Sequence, residues 1–210
     1  MAKNKQESTG LRKLLEDQVA DIYYAEKKLL PALKKMANAA SNEELAQAFN
    51  DHHAETTEQV ARLEEVFAAL DKPVKGKKCD AIDGILEEAS GIMDEFEGDA
   101  ALDAALVGAA QKVEHYEIAS YGSMVAWAEQ LDLEDVAGLL AETLEQEKAA
   151  DEKLSELAEA SINAAGEDDE AAEEGAEGEE EEEEGTMTKV KKAPARKSNP
   201  APMKTAPKKK

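Results

Sequence analysis

Apolar side chains recur along residues 8–163 at intervals of three and four, the spacing of a helix with one buried face. The first run, about Ser8 to Ala40, carries Leu11, Leu15, Val19, Ile22, Leu29, Leu30 and Leu33 on one stripe. Pro31 interrupts it, and a kink or local break is expected there. A second helix is expected from Ser41-Asn42-Glu43-Glu44, which reads as a capping box with Ser41 as N-cap and Glu44 at N3. Its face is Leu45, Phe49, His52, Thr56, Gln59, Leu63 and Phe67, and it ends before Asp71-Lys72-Pro73. A long connection, Pro73–Asp99, holds a shorter helix over about Asp80–Glu97. A third long helix spans about Ala100–Leu131. A fourth opens at Asp132 or Leu133, with Asp132 as an N-cap, and continues to about Asn163.

Loop lengths turn these elements into a topology. Tight joints make helices one and two antiparallel neighbours, and likewise the third and fourth long helices. The long middle connection permits a crossover. The expected fold is all-α: a ferritin-like four-helix bundle whose crossover carries an extra short helix.

On these helices several acids stand where apolar residues belong. Glu26 sits at the centre of its stripe, because Leu15, Val19, Ile22, Leu30 and Leu33 fall within roughly 40° of it at about 100° per residue. Glu117 is central among Ala110, Val113, Tyr121, Met124 and Ala128. Glu147 is central among Val136, Leu140, Thr143, Leu154 and Ala158. His52 is central on the second helix. Glu55 and Glu114 lie at stripe edges, and Asp151, one turn after Glu147, points inward. Carboxylates are almost never buried unless paired or metal-bound. In a chain that is 35% charged, one misplaced glutamate is unremarkable. A set near the midpoints of four helices predicts a carboxylate-bridged dimetal centre. Like charges in one core repel and lose hydration, and cations remove both costs. Oxygen-rich ligation with one imidazole suits iron or manganese better than structural zinc.

Other reactive residues have plainer readings. His53 belongs at a boundary, and His115 faces solvent or a neighbouring helix. Tyr23, Tyr24, Tyr116 and Trp127 are read as packing residues. Cys79, the single cysteine, excludes an intrachain disulfide and reads as an ordinary thiol. The sequence contains no GxGxxG, P-loop, nucleophile elbow or HExxH.

Charge is unevenly placed. The formal net charge is -23, and residues 1–163 carry 35 acids and 16 bases. An acidic bundle surface argues against nucleic acid binding there. Residues 164–185 hold 13 acids and no base, and residues 186–210 hold 9 bases and no acid. The expected organisation is a flexible N-terminus over 1–8, a bundle domain over 9–163, and a disordered tail over 164–210. The basic end of the tail is a candidate for weak contact with nucleic acid or an acidic surface. With neither a secretory h-region nor a membrane span in the sequence, a cytoplasmic protein without membrane association is expected.

Particular segments add a resemblance. Ile22-Tyr23-Tyr24-Ala25-Glu26, His52-His53-Ala54-Glu55-Thr56, Val113-Glu114-His115-Tyr116-Glu117-Ile118-Ala119-Ser120-Tyr121-Gly122, Lys78-Cys79-Asp80-Ala81 and Glu145-Gln146-Glu147-Lys148-Ala149-Ala150-Asp151 are similar to the YciF-like stress-protein group of the ferritin-like superfamily. The resemblance covers about residues 9–160. It implies a rubrerythrin-like bundle, a homodimer, a role in stress response and a dinuclear metal site with ligands Glu26, His52, Glu55, Glu114, Glu117, Glu147 and Asp151. The chain departs from the wider Glu-x-x-His pattern, reading His52-x-x-Glu55 on the second helix and Glu147-x-x-x-Asp151 on the fourth. Two functions follow as expectations: a protein that handles peroxide or oxygen at a pair of iron or manganese ions, or a non-enzymatic dimeric helical scaffold.

Overall fold

The computed structural model describes residues 10–167. Five α-helices follow one another: α1 (Gly10–Ala39), α2 (Glu43–Ala69), α3 (Asp80–Glu95), α4 (Leu102–Gln130) and α5 (Glu134–Leu157). A π-helical segment, Ala158–Ile162, and a last turn, Asn163–Ala165, prolong α5. The expectations for the tail beyond Glu167 and for the first residues lie outside the described residues.

Packing follows the connections. α1 pairs with α2, α4 with α5, and α2 and α1 close the bundle against α5 and α4 respectively. The crossover helix α3 lies outside, across α4 and α1. Its Ile82 is fully buried, and Tyr24 on α1 donates its hydroxyl to Asp83 at 2.9 Å. The core is aliphatic: Leu15, Ile22, Leu29, Leu45, Leu63, Leu106 and Leu140 are all at most 1% exposed. Burying each such side chain contributes about 1.5–3 kcal/mol. Phe49 and Tyr121 are the largest fully buried rings.

The structure corrects three local expectations. α1 runs unbroken through Pro31, whose ring lies on the exposed face. The helix cap of α2 is Asn42 rather than Ser41: its side-chain oxygen accepts from the amides of Glu44 and Leu45 at 2.9 and 3.0 Å. The Ser41 and Asn42 amides are instead held by the Asp103 carboxylate from α4, at 2.9 and 2.8 Å. Asp132 is not the cap of α5 either. It sits at φ 56° in the turn, and Leu133 takes the cap position without a side-chain bond.

The expected packing tyrosines also tie helices together. Tyr23 meets the Phe67 ring edge-on and donates to Glu64 at 2.9 Å. Tyr116 donates to Asp21 on α1 at 2.9 Å, and its oxygen lies 3.1 Å from the sulfur of buried Cys79. His53 is half-buried at the boundary of α2.

Candidate metal centre

The stripes that carry Glu26, His52, Glu114, Glu117 and Glu147 all face the bundle axis, so the helices deliver these side chains to one place. Glu26 and Glu147 are fully buried, Glu114 and Glu117 are 1% exposed, and His52 is 6% exposed. One ligand atom from each of His52, Glu114, Glu117 and Glu147 lies within 4.8 Å of the others. His52 Nε2 is 3.3 Å from Glu114 Oε1 and 3.8 Å from Glu147 Oε2. Glu26 joins the group from α1, at hydrogen-bonding range of Glu117.

Edge residue Glu114 joins the cluster, whereas Glu55 at the other edge and Asp151, expected to point inward, do not. Glu55 stays at the rim, its side chain 46% exposed, with Oε2 3.6 Å from His52 Nδ1. Asp151 is turned toward α4, where its Oδ1 lies 3.3 Å from Nε2 of exposed His115. Asp151 is thus outside the cluster of four. His115 is both solvent-facing and an inter-helix contact.

Sequence reasoning took Tyr121 for a packing residue, but its hydroxyl donates to Glu26 Oε1 at 2.5 Å. The available signal was a hydroxyl-bearing ring one turn after a core carboxylate, Glu117. Arg62 was also missed. It staples α2 to α5 through Thr143, Gln146 and Glu142 at 2.8, 2.9 and 2.8 Å, about three turns along α2 from His52.

Burial dominates the electrostatics. It pushes the Glu26 carboxyl up to about 7, although the Tyr121 hydroxyl and His52 pull it back down. Burial, and then the charges of Glu26, Glu147 and Glu114, hold Glu117 well above the ordinary range. Glu147 is raised by burial and by Glu26, with His52 opposing. Burial works against the His52 imidazolium, but the Glu114, Glu55 and Glu147 carboxylates outweigh it and hold its pKa well above 6.5.

Between carboxylates a hydrogen bond forms only when one carries a proton. With all ionised, Glu26 Oε2, Glu114 Oε2 and both oxygens of Glu117 and Glu147 have no hydrogen-bond donor, and the nitrogens of His52 make only long contacts to carboxylates, at 3.3 to 3.8 Å, in place of well-formed hydrogen bonds. That many orphaned buried atoms at one spot demand an explanation. Four carboxylates and one imidazole converging there are a donor set that fits transition-metal ions of the iron or manganese type.

Two antiparallel helix pairs, one crossover and a buried carboxylate–imidazole cluster define a ferritin-like bundle. The chain belongs to the family described as Domain of unknown function (DUF892), whose model matches residues 10–167. It is 49% identical over 146 residues to Protein YciF of Escherichia coli strain K12, a match covering 69% of this chain and 88% of that protein. The crystal structure of the E. coli stress protein YciF aligns with a TM-score of 0.71 at 45% identity, covering 74% of this chain and 99% of that one. YcfI from Rhodopseudomonas palustris aligns with a TM-score of 0.69 at 42% identity, over 73% and 98% of the two chains. Among the described residues no helix is long and apolar enough to cross a membrane.

Proposed function

We propose that this protein is a ferritin-like dimetal protein of the stress response that handles peroxide or oxygen at a pair of iron or manganese ions. The observation that carries the reading is the set of buried, partnerless ligand atoms from four helices. The similarity to a protein named a stress protein supports the cellular role.

Glu26, His52, Glu114, Glu117 and Glu147 would hold the ions, with Glu55 able to reach in from the rim. Bound iron or manganese supplies redox and Lewis-acid chemistry that these side chains lack. The protein's own contributions are separate. Five ligands fixed on helices need little reordering to receive cations. Tyr121 holds Glu26 in one orientation. Glu26 and Glu147 are themselves fully buried in an aliphatic core that includes Leu29, Leu106 and Leu140. Protons displaced on loading leave from the raised carboxyls of Glu26, Glu117 and Glu147.

The deciding experiment is metal analysis of full-length protein purified without chelators, followed by its reaction with peroxide and with oxygen. About two ions per chain are expected, as for a paired site. Full occupancy persisting in a folded Glu26→Gln, Glu117→Gln, Glu147→Gln variant would overturn the assignment. Loaded protein inert to both oxidants would leave the scaffold reading in its place.

A further inference from the structure

The cluster is not sealed on every side. Between α2 and α5 a partly open cavity of about 670 Å³ reaches down to it, with His52 and Glu114 in its wall. Both are buried, and His52 Nδ1 and Nε2 and Glu114 Oε2 lack a well-formed hydrogen bond. Phe49, Ala150 and Leu154 supply apolar wall, and Asp51 and Glu55 stand on the α2 side.

Size speaks to what the cavity takes. Dioxygen or peroxide needs little more room than a water molecule, whose share of liquid volume is about 30 Å³. The cavity is many times larger and falls in the range of sites for organic molecules, about 300–1,000 Å³. A bare metal ion would gain nothing from the apolar wall.

Charge narrows the class. Acids, five of them, outnumber the two lining bases, Lys153 and His52, and His52 is already engaged with Glu114 and Glu55. Glu142 and Glu145 are each matched by a cation, Arg62 and Lys148, both at 2.8 Å. Asp51 takes an uncharged donor, the Gln47 amide, at 2.7 Å, and Glu55 is half exposed beside His52. The α2 side of the mouth therefore offers negative charge above an apolar wall.

We propose that this cavity binds a small organic cation, with its apolar body against Phe49, Ala150 and Leu154 and its cationic group toward Asp51 and Glu55. The proposal concerns the approach to the cluster and does not rest on metal being bound there.

The test is calorimetric titration of the full chain with three probes that share one body: 4-phenylbutylammonium, 4-phenylbutanol and 4-phenylbutyrate. Saturable binding at one site is expected, with the cation about tenfold tighter than the carboxylate, the size of effect a partly solvated charge contact gives. Asp51→Asn, on an exposed position, should weaken the cation and leave the alcohol unchanged. Ala150→Trp should fill the cavity and abolish binding of all three. Equal affinity for cation and carboxylate, or undiminished binding in Ala150→Trp, would overturn the proposal. So would no saturable binding of the cation by the full chain, whether monomeric or paired in sedimentation. If Ala150→Trp does not fold, the Asp51→Asn comparison still decides. Metal content of the same samples reports separately on the dimetal reading.

Discussion

Tyr121 and Glu26 meet across the bundle, α4 to α1, through a 2.5 Å hydrogen bond between two fully buried side chains. The other hydrogen-bonding neighbour of Glu26 is the Glu117 carboxyl, which can donate only when protonated. Tyr121→Phe removes the hydroxyl and keeps the ring. Leaving a buried acceptor unpartnered costs about 1–3 kcal/mol, and chemical denaturation of the metal-free protein should show a loss of that size. The loss should shrink when metal is bound, because the cation then holds Glu26. An equal loss with and without metal would place Glu26 outside the ligand set.

Metal-free protein should lose stability as pH rises. The folded-state pKa of Glu26 is raised from 4.5 to about 7, and Glu117 and Glu147 are raised in the same direction. A raised carboxyl binds its proton more tightly folded than unfolded. Its contribution is fully present below the unfolded value and is lost as pH climbs through the folded one. His52, also raised, has the same sign. Melting temperatures of chelated protein should therefore fall between about pH 5 and about pH 8, and metal should flatten the fall. A flat profile without metal would mean that these carboxyls are not clustered as described.

Glu117→Gln separates stability from ligation. Glu117 has neither oxygen bonded when ionised and is raised by three neighbouring carboxylates. Replacing a repelled buried charge with a neutral amide of equal shape is expected to stabilise the metal-free protein at alkaline pH by on the order of 1 kcal/mol. The same change should reduce metal occupancy. Asp151→Asn, whose contact is exposed His115, should leave occupancy nearly unchanged. Paired melts and metal analyses of the two variants check both statements.

Asp103→Ala should destabilise the bundle by about 1 kcal/mol, the size of effect expected from losing partly exposed hydrogen bonds to a carboxylate. Its carboxylate holds two amides at the α1–α2 joint, far along the chain from its own position. Hydrogen exchange should speed up at Ser41 and Asn42 and not at the cluster.

Helix periodicity was sufficient to place Glu26, His52, Glu117 and Glu147 on inward stripes, because a wheel depends on local geometry alone. It was also sufficient for the number and order of helices. It did not separate Ser41 from Asn42 as a cap, since adjacent residues with similar side chains differ only in which one the chain's path leaves extended. That path is set by Asp103, sixty residues away in sequence. Nor did it separate Asp151 from Glu147. Both lie near the same stripe, but Asp151 is close enough to α4 to meet His115. Tyr121 showed as an apolar ring; the partner of its hydroxyl depends on how α4 and α1 are brought together.

The crossover helix has a consequence for traffic. By lying across α4 and α1, α3 doubles the wall on that flank, with Ile82 plugged into it and Tyr24 pinning it down. The cavity lies on the opposite flank, between α2 and α5. Anything that reaches the cluster through this cavity passes beside His52 and Glu114, while α3 thickens the back of the chamber and leaves its mouth uncovered.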